Sequence, residues 1–231
     1  ASYYSNMFKI VPRQKDTSGP LYPVGHSPFD LYFQEGKIVM NMGYLFDPGQ
    51  KEMSNPYAAE VLPYDDGKFA FSPKHGLWWA FKNSLFVLDR SKQKGKWRKV
   101  MELSKNKNVN DIKFDQTNEF LWFAKKHTLA KYAVENAELS VKSEINWDAD
   151  FSIRYLYPDK EDIIWVASEN GLRKYNTATG KIRDYTTEEG LSHNNVVTIL
   201  PEGDSCLWLG THKGLSRFSK STNTFINFFE R

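Results

Sequence analysis

The chain has one cysteine, Cys206, in 231 residues, so it forms no internal disulfide and holds no thiolate metal cluster. That suits either a reducing cytoplasm or a bacterial export product that folds without disulfides. No apolar run reaches the roughly 18 residues that a membrane-spanning helix needs, so membrane attachment would have to come through segments outside this sequence. No N-terminal signal is visible, and Ala1-Ser2-Tyr3-Tyr4 reads as the start of a trimmed or excised piece. Net charge is only +3, with no dense basic patch, so the region makes no case for nucleic acid as a partner. Catalytic signatures are absent too. The five histidines, His26, His75, His127, His193 and His212, never fall at an HExxH or similar spacing. There is no Gly-x-Ser-x-Gly elbow and no phosphate-binding loop. No cofactor is expected and no metal site.

Aromatic residues, by contrast, make up 15% of the chain, a supply that suits sheets stacked face to face. They fall in a pattern. Leu207-Trp208-Leu209-Gly210-Thr211 leads to Gly214-Leu215 and Phe218, and Ile164-Trp165-Val166-Ala167-Ser168 leads to Gly171-Leu172 and Tyr175. Leu121-Trp122-Phe123-Ala124 and Leu77-Trp78-Trp79-Ala80 are weaker copies. Trp78, Trp122, Trp165 and Trp208 are spaced by 44, 43 and 43 residues. A fixed period in the forties with several strand-like runs per unit predicts propeller blades.

The fold class is therefore all-β, a propeller of four-stranded blades in a single array over residues 1–231. The blades fall roughly at 29–60, 61–102, 109–145, 152–186 and 195–229. The first is irregular, with Val39 where the others have tryptophan. Strands A to D run outward from the axis, and strand B carries the tryptophan, which is expected to pack between neighbouring sheets. Gly171 and Gly214 allow a positive φ after the B–C turn, and Asn176 to Lys181 supply the hairpin reversal between C and D. The last blade has its own fourth strand, so Met7 to Val11 looks like the outer strand of a missing preceding blade. Two arrangements stay open, a five-bladed closed ring and an open arc, the arc favoured. An arc would leave one sheet face without a neighbour at each end.

The stretch Gly180-Lys181-Ile182-Arg183-Asp184-Tyr185, continuing through Gly190-Leu191-Ser192-His193-Asn194-Asn195-Val196 to Leu207-Trp208-Leu209-Gly210-Thr211, resembles the repeat of the two-component regulator propeller family. The match is specific across 162–228, fair across 75–135 and weak before 75. The resemblance implies a sensor region on the periplasmic or extracellular face of a bacterial membrane, of the kind found in Bacteroides-type hybrid two-component systems. It implies an oligosaccharide ligand. Members of that family carry two seven-bladed propellers, an immunoglobulin-like domain, a transmembrane helix, a histidine kinase and a DNA-binding regulator. This chain holds about five blades and none of the rest, so it reads as a fragment, a degenerate relative or a smaller propeller. Missing blades, a partner chain or a homodimer are the partners that follow.

Propeller ligands usually sit on the end built from the D–A and B–C loops. Candidate ligand-binding residues there are Lys82, Lys107, Lys125, Lys126, His127, Trp147, Arg154, Asn194, Asn195, His212 and Lys213. The second and third blades are basic at this end and the fourth acidic, which points to an anionic glycan, with Trp147 as a flat surface. The opposite A–B turns are mainly acidic: Asp115, Glu119, Asp159, Glu161, Asp162, Glu202 and Asp204. Ordinary solvated loop charge explains the same residues. His127 and His212, at nearly equivalent turns, could share a metal only weakly. Asp148 and Asp150 could act as an acid/base pair, although paired acids in loops are more often turn formers. Alternatives to a ligand sensor are a protein-interaction scaffold and a carbohydrate lyase or hydrolase.

Overall fold

A computed structural model describes four short strands between residues 31 and 54, and residues 67–81, 83–89, 96–102, 109–148, 150–160 and 162–229. Its twenty strands form five four-stranded antiparallel sheets. The first sheet is β1 (Leu31–Gln34), β2 (Lys37–Met40), β3 (Leu45–Asp47) and β4 (Glu52–Ser54). The second is β5 (Lys68–Ser72), β6 (Gly76–Phe81), β7 (Ser84–Asp89) and β8 (Lys96–Glu102). The third is β9 (Asp111–Phe114), β10 (Phe120–Lys125), β11 (Thr128–Glu135) and β12 (Glu138–Asn146). Then come β13 (Ile153–Pro158), β14 (Ile163–Ser168), β15 (Gly171–Asn176) and β16 (Ile182–Tyr185). The last sheet is β17 (Val196–Glu202), β18 (Cys206–Thr211), β19 (Gly214–Ser219) and β20 (Thr224–Phe228). Every sheet is a meander in chain order, the construction of a propeller blade.

The chain divides into two compact units, Ala1–Pro63 and Tyr64–Arg231. The first contains β1–β4, in which Val39 pairs with Tyr32 and with Leu45. It is the third residue of its strand, the place tryptophan takes in β6, β10, β14 and β18. The strand expected at Met7 to Val11 lies outside the described residues. In the second unit β5, β9, β13 and β17 lie side by side in that order. They are the inner strands of four successive blades.

Strand alternation explains the packing. Trp78 and Ala80 pack with Ile112, Leu121 and Phe123 of the following sheet. Trp122 and Ala124 pack with Ile153, Leu156, Ile164 and Val166. Trp165 and Ala167 meet Ile199, Leu207, Leu209 and Phe218. Each tryptophan thus fills the gap to the next blade, and Trp78, Trp122 and Trp165 are buried. Burying roughly 150–250 Å² of indole at about 25 cal/mol per Å² is worth roughly 4–6 kcal/mol before entropy. Phenylalanine would also fill that gap. What it lacks is the indole N–H, which Trp78 donates to the His75 carbonyl at 3.1 Å and Trp165 to Asp159 at 2.9 Å. Both acceptors lie in the A–B turn, so the tryptophan locks the turn of its own blade while packing against the next.

Gly171 and Gly214 have φ of +115° and +117°. A Cβ on either would lie 2.3 Å from a carbonyl oxygen of the outer strand, that of Tyr185 or Phe228. The C–D turn is held by Asn176, whose Oδ1 accepts from Ala178 N, Thr179 N and the Thr179 hydroxyl.

Candidate ligand-binding site

The D–A loops and B–C turns meet where successive blades are tied together by backbone. Ile153 N donates to Lys126 O of the preceding blade at 2.6 Å, while His212 N to Asn195 O at 3.1 Å extends the pairing of β17 and β18 within the last sheet. Asn110 bridges two sheets: its Nδ2 donates to Ile153 O at 2.8 Å, and its Oδ1 accepts from Lys126 N at 3.0 Å. Lys126 itself has φ +42° and an exposed side chain. Its backbone is fixed while its ammonium points outward.

The candidate residues fall into three groups. At the third blade Lys125 is half-buried and Lys126 exposed. His127 is half-buried, accepts from Trp147 N through its carbonyl, and has an Nδ1 that is buried without a partner. Trp147 is packed. Its ring meets Phe151 at 5.2 Å and Tyr175 at 5.9 Å edge-on, and the Arg173 guanidinium lies 4.9 Å from its centroid. One indole face is therefore occupied by a cation of its own chain, itself held by Asp184 at 2.6 Å. At the fourth blade Arg154 Nη2 pairs with Glu169 at 2.7 Å, while Arg154 Nε is buried without a partner. Both partners of that ion pair belong to the fourth blade. At the fifth blade the His193 and His212 rings stack, 6.0 Å apart and 17° from parallel. His193 Nδ1 accepts from Asn195 N, Asn194 Oδ1 accepts from Thr187 N, and Asn195 Oδ1 is buried without a partner. Lys213 is exposed. Lys82 and Lys107 lie outside the described residues.

Among the described residues no three His, Cys, Asp or Glu side chains converge on a point where a metal could sit. Asp148 and Asp150 are both exposed, and the carbonyls of both serve the loop, accepting from Phe151 N and Asn170 Nδ2.

The acidic A–B turns are built into the fold. Asp115 accepts from the Thr117 hydroxyl, Glu119 N and Phe120 N. Asp159 accepts from Trp165 Nε1 and Lys160 N, and from Lys220 Nζ of the next blade. Burial works to raise the Asp159 pKa, but these donors, Lys220 foremost, hold it below the ordinary carboxylate value. Beside it, burial and the charges of Asp159 and Asp204 push the Tyr157 phenol up to about 12. Asp204 pairs with Lys160 at 2.8 Å on the surface, an exposed contact worth about 0–1 kcal/mol.

Sequence reasoning missed Asp111. Its side chain is buried, accepts from Ile112 N and Lys113 Nζ, and receives Leu156 N of the next blade at 2.8 Å. A carboxylate inside an inner strand, where such residues are depleted, was the available signal. The loop Gly190 to Asn195 proves to be a docking element. Leu191 is buried, the Ser192 and Ser216 hydroxyls are 2.7 Å apart, and Gly190 O accepts from Asn227 Nδ2. A capping box between Thr186 and Glu189 rigidifies the turn before it.

No protein-family model matches the chain. No curated protein matches it by sequence. Solved structures do match. One is described as the extracellular domain of a hybrid two-component system, BT3049, from B. thetaiotaomicron: 18% identity, TM-score 0.55, covering 71% of this chain and 24% of that one. Two structures of the extracellular domain of BT4673 from the same organism match at 18% and 16% identity, with TM-scores of 0.60 and 0.62. They cover 85% and 88% of this chain and 28% of the other. The likeness is one of fold. This chain spans about a quarter of the length of those structures, and no helix among its described residues is long and apolar enough to cross a membrane.

Proposed function

We propose that this chain is an extracytoplasmic ligand-sensing propeller from a two-component signalling regulator, and that its ligand is an oligosaccharide. It is a binding module rather than an enzyme. The observation that carries the reading is the polar end of the third to fifth blades. There Arg154 Nε, Asn195 Oδ1 and His127 Nδ1 are buried without partners. A buried donor or acceptor left unpaired costs about 1–3 kcal/mol, a cost that a sugar hydroxyl relieves once the loops part to admit it. Lys126 stands on backbone tied to Ile153 of the next sheet and to Asn110 Oδ1, and Asn195 on backbone paired with His212, so these groups are held in place before a ligand arrives. The extracellular sensor architecture of the structural neighbours supports the same reading. Lys125, Lys126, His212 and Lys213 extend it to anionic glycans such as uronates or sulfated sugars.

The test is titration calorimetry against neutral, uronate and sulfated oligosaccharides. Arg154→Ala and Asn195→Ala should weaken any binding by about tenfold or more. Lys125→Ala with Lys126→Ala should weaken only the anionic glycans, and less so at high salt. Affinity unchanged in all of these variants removes the reading.

A further inference from the structure

Arg154 stands at a fault in its strand. Ile153 pairs with Ser168 and Tyr155 with Ala167, so Arg154 is the extra residue of a β-bulge in β13, a device that re-aims a side chain. The fifth blade keeps the bulge and puts Val197 in it, between Val196 and Thr198. The fold therefore asks for the bulge and not for a cation. Glu169, which meets Arg154, lies in the B–C turn of the same blade. The third and fifth blades place Asn110 and Val197, with Lys126 and His212, at the same two positions, so neither repeats the pair.

The pair is half made. A guanidinium offers Nε–H and Nη2–H side by side, a fork that fits the two oxygens of one carboxylate. Arg173 shows the complete form: its Nε and Nη2 donate to Asp184 Oδ1 and Oδ2 at 2.6 and 2.7 Å. Arg154 meets Glu169 Oε1 through Nη2 at 2.7 Å and leaves Nε buried without a partner. The Glu169 side chain is 46% exposed, and an ion pair so open to water is weak. Its backbone is anchored instead: Glu169 N donates to Ser152 O, and Asn170 Nδ2 to Asp150 O. The side chain can swing away while the turn stays in place.

We propose, on the footing that this end binds sugars, that Arg154 recognises a ligand carboxylate and that Glu169 is its resident stand-in. A uronate takes Nε and Nη2 together, and Glu169 moves out into water. Glu169 already shows which group the fork accepts. The ligand carboxylate completes the fork as Asp184 does for Arg173, and so gains a hydrogen bond that Glu169 does not make. Lys126, whose carbonyl receives Ile153 N, brings a second, exposed cation close by from the preceding blade.

Calorimetry with an oligogalacturonate, its methyl ester and a sulfated oligosaccharide of the same length tests this. The acid should bind at least about tenfold tighter than either of the others. Glu169→Gln removes the competing charge; it should tighten the acid about three- to tenfold and leave the ester within about twofold. Arg154→Lys keeps the charge without the fork and should weaken the acid about tenfold. In the unaltered protein the Arg154 Nε–H resonance should move downfield with the acid and much less with the ester. Acid and ester bound alike, a sulfated sugar bound as tightly as the acid, or an acid affinity indifferent to Glu169→Gln overturns the proposal while sugar binding itself stands. No binding of any of the three overturns both.

Discussion

Gly171 shows how much one residue settles. Its φ of +115° is a region that side-chain-bearing residues rarely adopt, and its Cα faces the Tyr185 carbonyl so closely that a Cβ would lie 2.3 Å from the oxygen. Gly180 has φ +73° with nothing within 4 Å of a would-be Cβ. The pair separates backbone preference from close approach. Gly180→Ala should cost about 1 kcal/mol in chemical denaturation, the price of left-handed backbone alone. Gly171→Ala should cost more than about 2 kcal/mol, because the outer strand must also shift. Equal losses would mean that β15 and β16 yield without resistance. Trp165 makes the same point about side chains: its bulk was legible from the repeat, while its N–H bond to Asp159 was not.

Among elements, the A–B turn of the fourth blade is the joint to the fifth. Asp159 ties its own Trp165 and Lys160 to Lys220, which reaches across from the next sheet's C–D turn. A carboxylate whose folded pKa is depressed stabilises the fold above its unfolded value, and that contribution is lost as pH falls through the folded value. The folded Asp159 titrates below 3.8, so its contribution is complete above that pH and disappears under it. Asp159→Asn should therefore flatten the acid limb of a stability-versus-pH curve below about pH 4 and leave the neutral region displaced by a constant amount. An acid limb as steep as that of the unaltered protein would put the sensitivity elsewhere.

At the scale of the molecule, blades that contact only their neighbours share stability as a chain of interfaces. In the second unit the sheets at 111–146 and 153–185 are covered on both faces by sheets. Within that unit the last sheet is covered on one. Native-state hydrogen exchange in dilute solution should therefore find β10, β11, β14 and β15 slowest, and β18–β20 opening first. Uniform protection across the four sheets would show that the unit opens as a whole.

Most of the fold was written in one dimension. A tryptophan every 43 or 44 residues, turn glycines at fixed offsets and alternating apolar residues define blades, because each is a local property that recurs wherever the local sequence recurs. The motif ending in Leu191-Ser192 was legible too, although as a family signature, and the structure shows what it does: it docks the D–A loop on the following sheet. The site was only half legible. Loop residues could be placed at one end of the propeller, but their partners lie on other blades, and pairing across some forty residues follows no pattern in sequence. So Trp147, expected as an open platform, has one face under Arg173, and Asp159 and Asp204 of the acidic A–B turns pair across neighbouring blades. Asp111 and Asn110 went unnoticed because their work is to hold the neighbouring strand. Period and alternation needed only the chain itself. Which charges stand in solvent and which are spent in pairs were decided by packing, since each depends on what a different blade brings alongside.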